Sequence, residues 1–555
     1  MTWLRKIGFL LMASGLALGQ TSAPNTAPAD SKSMNELKAL REAIAAQQQQ
    51  LAQQRQKLNE LREQVAARQQ AASANSSSTA PRLVDATLHS SSSATSTGPV
   101  PGAPVQEETT KESPLSFRIG GADFTPGGFI DFENVFRTTN TGNTSATNFG
   151  TIPYSNTVAG HLTEFRSTAQ YSRLNLKTHA KFGANDVTGY IEADFNGNDP
   201  ANVFVTANSH TARFRLFWLD LRRGNWEFLG GQTFGLQTPN RTGVSPAPAD
   251  LALGYQEDSG IGVGYNYTRA SAFRAAYHFN DQWVWAAEIQ NPQQFVGAGE
   301  VIFPFAFNAA LGPQFDAANN PGTPNAVPDL LTKIAYDTTS GRHFHIEAGG
   351  LLTTAKAMAI PVGGTTFHGT STVGGGFMGA LNFELLKGSE GRNLKFVTNG
   401  MWGYGVGRYL NSLAPQAVVR PIQTGPTTFD LATSMVHSGD FVGGFEFVIH
   451  PKAQFGLYYG GAYAQRNAFQ DVTSPLVIKP FVGFGGPNSP NSANRSVQEV
   501  TFDWTQTFWR NPQYGAVLLV TQASYLTRSP WFVAAGAPKN AHLTMSYVSL
   551  RYVLP

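Results

Sequence analysis

Residues 171–196 read YSRLNLKTHAKFGANDVTGYIEADFN, two arms either side of Gly-Ala-Asn-Asp at 183–186. On the first arm Leu174, Leu176, Ala180 and Phe182 share one face, and Arg173, Asn175, Lys177, His179 and Lys181 share the other. The second arm repeats the period of two, setting Val187, Ile191, Ala193 and Phe195 against Tyr190, Glu192 and Asp194. Such alternation predicts a β-hairpin. A half-buried sheet of a soluble domain would read the same way, so the fold is decided by how often the pattern recurs.

Working outward, about sixteen alternating segments are found: near 127–137, 163–182, 187–196, 212–221, 225–232, 261–278, 282–290, 330–337, 343–354, 374–386, 393–409, 436–449, 453–466, 496–509, 514–527 and 541–554. Breaks such as 183–186, 222–224, 279–281, 450–451 and 511–513 are short. Between them stand long breaks rich in Gly, Pro, Asn and Thr, as at 138–160, 233–259, 291–328, 410–434 and 467–494. Alternation of short turns with long loops predicts an all-β, antiparallel transmembrane barrel, whose two rims face different compartments. Lipid forbids an unpaired edge, so the sheet must close. Segment boundaries leave about 14 or 18 strands open as well.

The composition agrees. The 555 residues hold 56 glycines, 12% aromatics and only 14% charged residues, a mixture that favours strands and turns. There is no cysteine, so disulfides, thiolate metal sites and a thiol nucleophile are excluded. A formal net charge of +3 argues against nucleic acid as a partner.

Before the barrel region, residues 115–555, lie three other segments. Arg5 and Lys6 precede an apolar run from Ile7 to Leu18, and Ala17-Leu18-Gly19 offers small residues for cleavage before Gln20. Residues 1–19 are therefore expected to be a secretory signal peptide. Leu37, Ile44, Leu51, Leu58 and Val65 follow at seven-residue spacing, with Leu40 and Leu61 among the intervening d positions. That predicts an oligomerising coiled coil over 34–72. Residues 73–114, Ser-, Thr- and Pro-rich with few aromatics, read as a disordered linker.

If apolar faces meet lipid, the opposite faces line a pore. Arg173, Lys177, His179 and Lys181 then form a basic column, with Arg213 and Arg215 nearby on the next strand but one. Asp131 and Glu133 share the inward face of the first strand, and Glu192 and Asp194 that of the third. Cross-strand pairing is expected to place Glu192 and Asp194 against Lys177 and Lys181. Tyr190, Phe195, Trp226, Trp283, Trp285, Tyr404, Tyr409, Trp504, Trp509 and Tyr514 lie near segment ends, positions suited to aromatic girdles. His343 and His345 share a strand face, but no third His or carboxylate stands at a telling spacing, so neither metal nor cofactor is expected. No phosphate-binding Gly-rich loop and no catalytic constellation is present.

The final strand sets Val548, Leu550, Tyr552 and Leu554 against Ser549 and Arg551. It resembles the C-terminal signal read by the barrel-assembly machinery, departing from it by ending Leu554-Pro555 rather than in Phe. The peptides 172–177 (SRLNLK), 190–195 (YIEADF) and 229–234 (LGGQTF) resemble successive strands of the DcaP-like trimeric porins, within the general bacterial porin superfamily. That resemblance implies a sixteen-stranded barrel, a homotrimer and a coiled coil ahead of the barrel. It also implies that the loop after the fifth strand, carrying Arg241, Asp250, Glu257 and Asp258, folds inward as a constriction.

The expected protein is thus not an enzyme but an outer-membrane porin. It would sit in outer-membrane lipid, hold its coiled coil in the periplasm, and pass small hydrophilic solutes, with anionic carboxylates favoured. Two rivals remain: a surface-exposed adhesive β-protein on a coiled-coil stalk, which would lack a lipid-facing band, and an outer-membrane enzyme, which would need a Ser/His/acid cluster facing one site.

Overall fold

A computed structural model of the chain describes residues 113–141, 146–197, 211–246, 262–296, 300–315, 327–411 and 413–555. The signal peptide, coiled coil and most of the linker lie outside them. The first eight barrel strands are β1 (Ala122–Arg137), β2 (Glu164–Thr168 continued by Arg173–Phe182), β3 (Asn185–Asp194), β4 (Arg213–Arg223), β5 (Trp226–Phe234), β6 (Arg269–His278), β7 (Trp283–Gln290) and β8 (Asp329–Asp337). They are followed by β9 (Phe344–Ala359), β10 (His368–Lys387), β11 (Asn393–Tyr404), β12 (His437–His450), β13 (Ala453–Ala464), β14 (Asn494–Asn511), β15 (Gly515–Pro530) and β16 (Ala541–Val553). Each pairs antiparallel with its sequence neighbours, and β1 closes on β16 from Phe129↔Val553 to Arg137↔Met545. The sheet is a closed sixteen-stranded barrel.

All sixteen expected segments form strands, with two local differences. Segment 163–182 is interrupted at 169–172, where the Ser172 hydroxyl accepts the Asp131 N–H at 3.0 Å. Segment 261–278 enters the wall only at Arg269, because the residues before it lie inside the barrel. Three links are two residues long, at 183–184, 224–225 and 451–452; the first sets Phe182 opposite Asn185 with Gly183 at φ +59°, a conformation that suits glycine. Long links span 138–163, 195–212, 235–268, 291–328, 405–436 and 465–493, and shorter ones, 360–367 and 531–540, complete the same end.

Burial is inverted relative to a soluble sheet. On β1 Phe132 is 52% exposed and Asp131 1%; on β16 Leu550 is 49% exposed and Arg551 7%. A charge on the lipid side would cost about 2–4 kcal/mol at mid-depth, and the parity of β1 and β16 avoids this. Trp226, Trp283, Trp509, Tyr404 and Tyr514 are exposed as a girdle requires. Two expected girdle residues are elsewhere. Tyr190 faces inward and its hydroxyl donates to Glu192 at 2.9 Å. Tyr409 is fully buried in the loop between β11 and β12, donating to Asp329 and Gln290. There burial lifts its phenol well above the usual tyrosine range and keeps it protonated.

The apolar core lies under the long loops. Val296, Phe303, Phe307, Leu311 and Phe315 pack with Leu410, Val418, Val419 and Phe484. The two loop hairpins, Ala417–Gln423 with Phe429–Met435 and Asn467–Gln470 with Phe481–Phe484, pair the backbone there.

Candidate functional site: the barrel lumen

The lumen has two unlike sides. On strands β6 to β9 the inward positions include Ala276, Val284, Ala286, Leu331 and Ala335, all buried and small or apolar. The loop linking β5 to β6 lies on them, burying Leu236 and Val244 in the same cluster. Its backbone N–H groups, removed from bulk water, need acceptors, and the wall supplies carboxylates. Leu236 N–H donates to Glu288 at 3.3 Å, Asn240 N–H to Glu347 at 2.9 Å and Gly243 N–H to Asp337 at 2.8 Å. On the return, Val263 N–H donates to Glu499 at 2.8 Å, and the Asn266 amide donates to Asp440. Those acceptors stand on β7, β9, β8, β14 and β12, so the two described arms of the loop, 235–246 and 262–268, are tied to opposite stretches of the wall.

Side chains complete the attachment. Arg241 reaches Glu446 with Nη1 at 2.7 Å, and the Tyr458 hydroxyl donates to the same carboxylate at 3.0 Å. Lys333 donates to the Thr238 carbonyl at 2.8 Å and to Glu347 at 2.9 Å, while Arg274 pairs with Glu288 at 2.8 Å. His345 bridges Asp337 (2.8 Å) and Glu347 (3.1 Å), and the His343 ring is 2.9 Å from the Arg241 carbonyl. The carboxylates that hold His345 come from the neighbouring strand and from two residues along its own. Among the described residues no group of three or more His, Asp and Glu is arranged to hold a metal ion.

Strands β1 to β4 form the charged side. Arg215 donates to Glu192 at 2.7 Å and to Asp194 at 3.0 Å; Arg213 grips Asp194 at 2.7 and 3.0 Å. Arg173 stands 3.6 Å from Glu192 with its guanidinium over the Phe129 ring. Arg551, also over Phe129, pairs with Asp131 at 2.8 Å, and Glu133 is buried beside them on β1. Towards the short-turn end His179 and Lys181 share Asp186 at 2.7 and 3.5 Å. Lys177, half-buried, lies opposite Tyr190.

The expected pairing of Glu192 and Asp194 with Lys177 and Lys181 is therefore corrected. The two-residue turn fixes a register in which Asp194 opposes Arg173 and Glu192 opposes Asn175. Their partners come mostly from β4, where a bulge against Glu192 and Ala193 inserts one extra residue. It lets Arg213, Arg215 and Leu216 all avoid the lipid face while Phe214 stays exposed. Of the expected constriction residues, Arg241 is in the lumen; Asp250, Glu257 and Asp258 lie outside the described residues. Arg274, Glu288, Lys333, Glu347 and Glu446 were not singled out from sequence, although each is a charge at the inward parity of its strand.

Comparison with family profiles and with curated proteins finds no match. Among solved structures, the outer membrane channel DcaP of Acinetobacter baumannii aligns with a TM-score of 0.52 at 16% identity, covering 78% of this chain and 98% of that one. The fold is that of a DcaP-like porin. An anion-selective porin from Comamonas acidovorans aligns with a TM-score of 0.42 at 9% identity, over 78% of this chain and 100% of that one.

Proposed function

We propose that the protein is a passive porin of a bacterial outer membrane, assembled as a homotrimer and passing small hydrophilic solutes. The observation that carries this is the closed barrel with an apolar exterior and an inward-folded loop, which narrows the lumen without replacing its charged side by apolar packing. Water on that side would meet Arg173, Lys177, Arg213 and Arg215 together with Glu192 and Asp194. Charge focused between low-dielectric walls orients and selects solutes as they pass. Anionic carboxylates are the favoured class, drawn to the arginines and lysines of β2 and β4. Lipid contacts the apolar belt, and the strand ending at Val553 is the segment offered to the barrel-assembly machinery. The segment 34–72 would stand in the periplasm as the trimer's coiled coil.

Conductance of the purified protein in planar bilayers under a KCl gradient tests the reading. Stepwise currents with a reversal potential of anion sign are expected. Absence of steps from folded protein would refute the porin, and a cation-sign potential would refute the anion preference alone.

A further inference from the structure

Two cations at the rim that carries the long loops have no counter-charge. Arg466 follows β13, and Arg495 stands near the start of β14. Both are exposed, and among the described residues neither makes a hydrogen bond or an ion pair. Their guanidinium carbons lie 4.5 and 6.0 Å from the centre of one ring, that of Trp531. Backbone groups hold this ring in place. Directly after β15, the Trp531 backbone N–H donates to the Ala493 carbonyl at 3.0 Å, and its indole N–H donates to the Ala464 carbonyl at 2.9 Å. The side chain therefore crosses the end of β14 to reach β13. Gly485, at φ +70°, makes room for it, since a Cβ there would lie 2.5 Å from the indole Cδ1. Arg495 is the extra residue of a bulge, between Asn494, which faces Pro530, and Ser496, which faces Ser529. A bulge re-aims a side chain, and this one frees Arg495 from the alternation of faces.

The surface beneath the arginines identifies what they meet. Trp531 packs edge-on against Tyr463 with ring centres 6.2 Å apart, and Tyr463 stacks on Trp402, also at 6.2 Å. Tyr463 shares the exposed face of β13 with Leu457 and Tyr459, and Trp402 and Tyr404 are exposed on β11. These rings are on the outside of the barrel, where an aromatic girdle marks the level of lipid headgroups. Arg466 and Arg495 stand just beyond them, at the depth where lipid phosphates lie. Like charges gathered at one ring repel each other, and an anion between them relieves that repulsion. A planar guanidinium grips phosphate through two parallel hydrogen bonds, while the rings beneath offer apolar surface to the rest of the lipid.

We infer that Arg466 and Arg495, gathered at Trp531, bind the phosphate headgroup of a lipid in the leaflet that meets the long-loop rim. The inference rests on the porin reading for its membrane, but its test needs no conduction. Native mass spectrometry of the folded full-length protein in detergent, with dioleoylphosphatidic acid and separately with dioleoylphosphatidylcholine, reads bound lipid directly. Wild type is expected to retain phosphatidic acid in preference to phosphatidylcholine. Arg466→Gln combined with Arg495→Gln should weaken that binding about tenfold or more. Arg222→Gln combined with Arg223→Gln, a pair exposed at the other rim, should leave it unchanged. Equal retention by wild type and the Arg466/Arg495 variant, or an equal loss in the Arg222/Arg223 variant, overturns the site. Displacement of the lipid by millimolar inorganic phosphate would make it a site for free anions and overturn the lipid. A variant that runs as a monomer where wild type runs as a trimer would show the arginines meeting a sister subunit, and overturns it too. If the Gln variant does not fold, as judged by heat-modifiable electrophoretic mobility, undiminished binding in Arg466→Lys with Arg495→Lys overturns the paired hydrogen bonds. Lipid lost in the Gln variant while wild type shows no channel steps would refute the porin reading and leave the site standing.

Discussion

Replacing Arg241 by Ala should loosen the inward loop and raise single-channel conductance. The Arg241 side chain is 13% exposed and that of Glu446 4%, so the pair is largely withdrawn from water. Removing one partner of a buried pair costs about 3–5 kcal/mol, because a charge is left uncompensated. Here the loss is reduced, since Tyr458 still donates to Glu446 and Lys395 sits opposite it in the β11–β12 register. A net change of about 2 kcal/mol, with a factor of ten for each 1.4 kcal/mol, shifts the docked-to-undocked ratio by about thirtyfold. The tethers from Asn240 to Glu347 and from Gly243 to Asp337 remain, so the segment around residue 241 should fluctuate rather than leave the lumen. Planar-bilayer recordings should show larger mean steps and more open-channel noise than wild type. Steps and noise identical to wild type, from protein that folds normally, would mean that this loop does not limit the current.

Gly264 makes a related case: at φ +93° its missing Cβ would lie 1.9 Å from the Phe441 carbonyl oxygen. Gly264→Ala should displace the returning arm of the loop, with strain of about 1–3 kcal/mol, and lower the temperature of heat-modifiable unfolding; an unshifted transition would contradict the close approach. Because the chain lacks cysteine, Lys177→Cys should react with a charged, membrane-impermeant thiol reagent and lose current, while Leu174→Cys on the opposite face should not. The reverse pattern would invert the assignment of faces. Glu192→Gln frees Arg215 and Arg173 from a carboxylate, so the reversal potential should move towards anions; no movement would place the cluster off the ion path. Tyr409→Phe removes the hydroxyl shared by Asp329 and Gln290, and a loss of about 1–2 kcal/mol should appear as earlier proteolysis of the loop between β11 and β12.

Strand parity was legible because lipid leaves it no freedom: Ile130, Phe132 and Phe136 cannot exchange with Asp131, Glu133 and Arg137 without burying charge in hydrocarbon. The two kinds of link were legible for the same reason, as length and composition differ by compartment. Register was not. Whether Asp194 meets Arg173 or Lys177 depends on a two-residue turn that four turn-forming residues, 183–186, do not specify. The bulge at Arg215 and Leu216 was hidden because it breaks the period that reveals everything else. The loop core was hidden too, since Phe303, Phe307 and Val418 carry no periodicity and look like scattered apolar residues. Tyr409 shows the limit well: beside a strand end it reads as a girdle ring, yet three-dimensional packing turns it inward onto Asp329.

The seam between β1 and β16 has a consequence for how the molecule is made. Asp131 and Arg551, bonded across it, are separated by 420 residues in sequence, and Leu554 N–H reaches the Gly128 carbonyl beside them at 3.0 Å. Contacts so distant form late, after the entropy of a very long closure has been overcome. Until they do, both ends of the sheet present unpaired backbone, which other chains can add to. A chain stopped short of Ala541 has no sixteenth strand to end this exposure, so closure serves as a test of completeness: only a fully synthesised chain can hide its own edges.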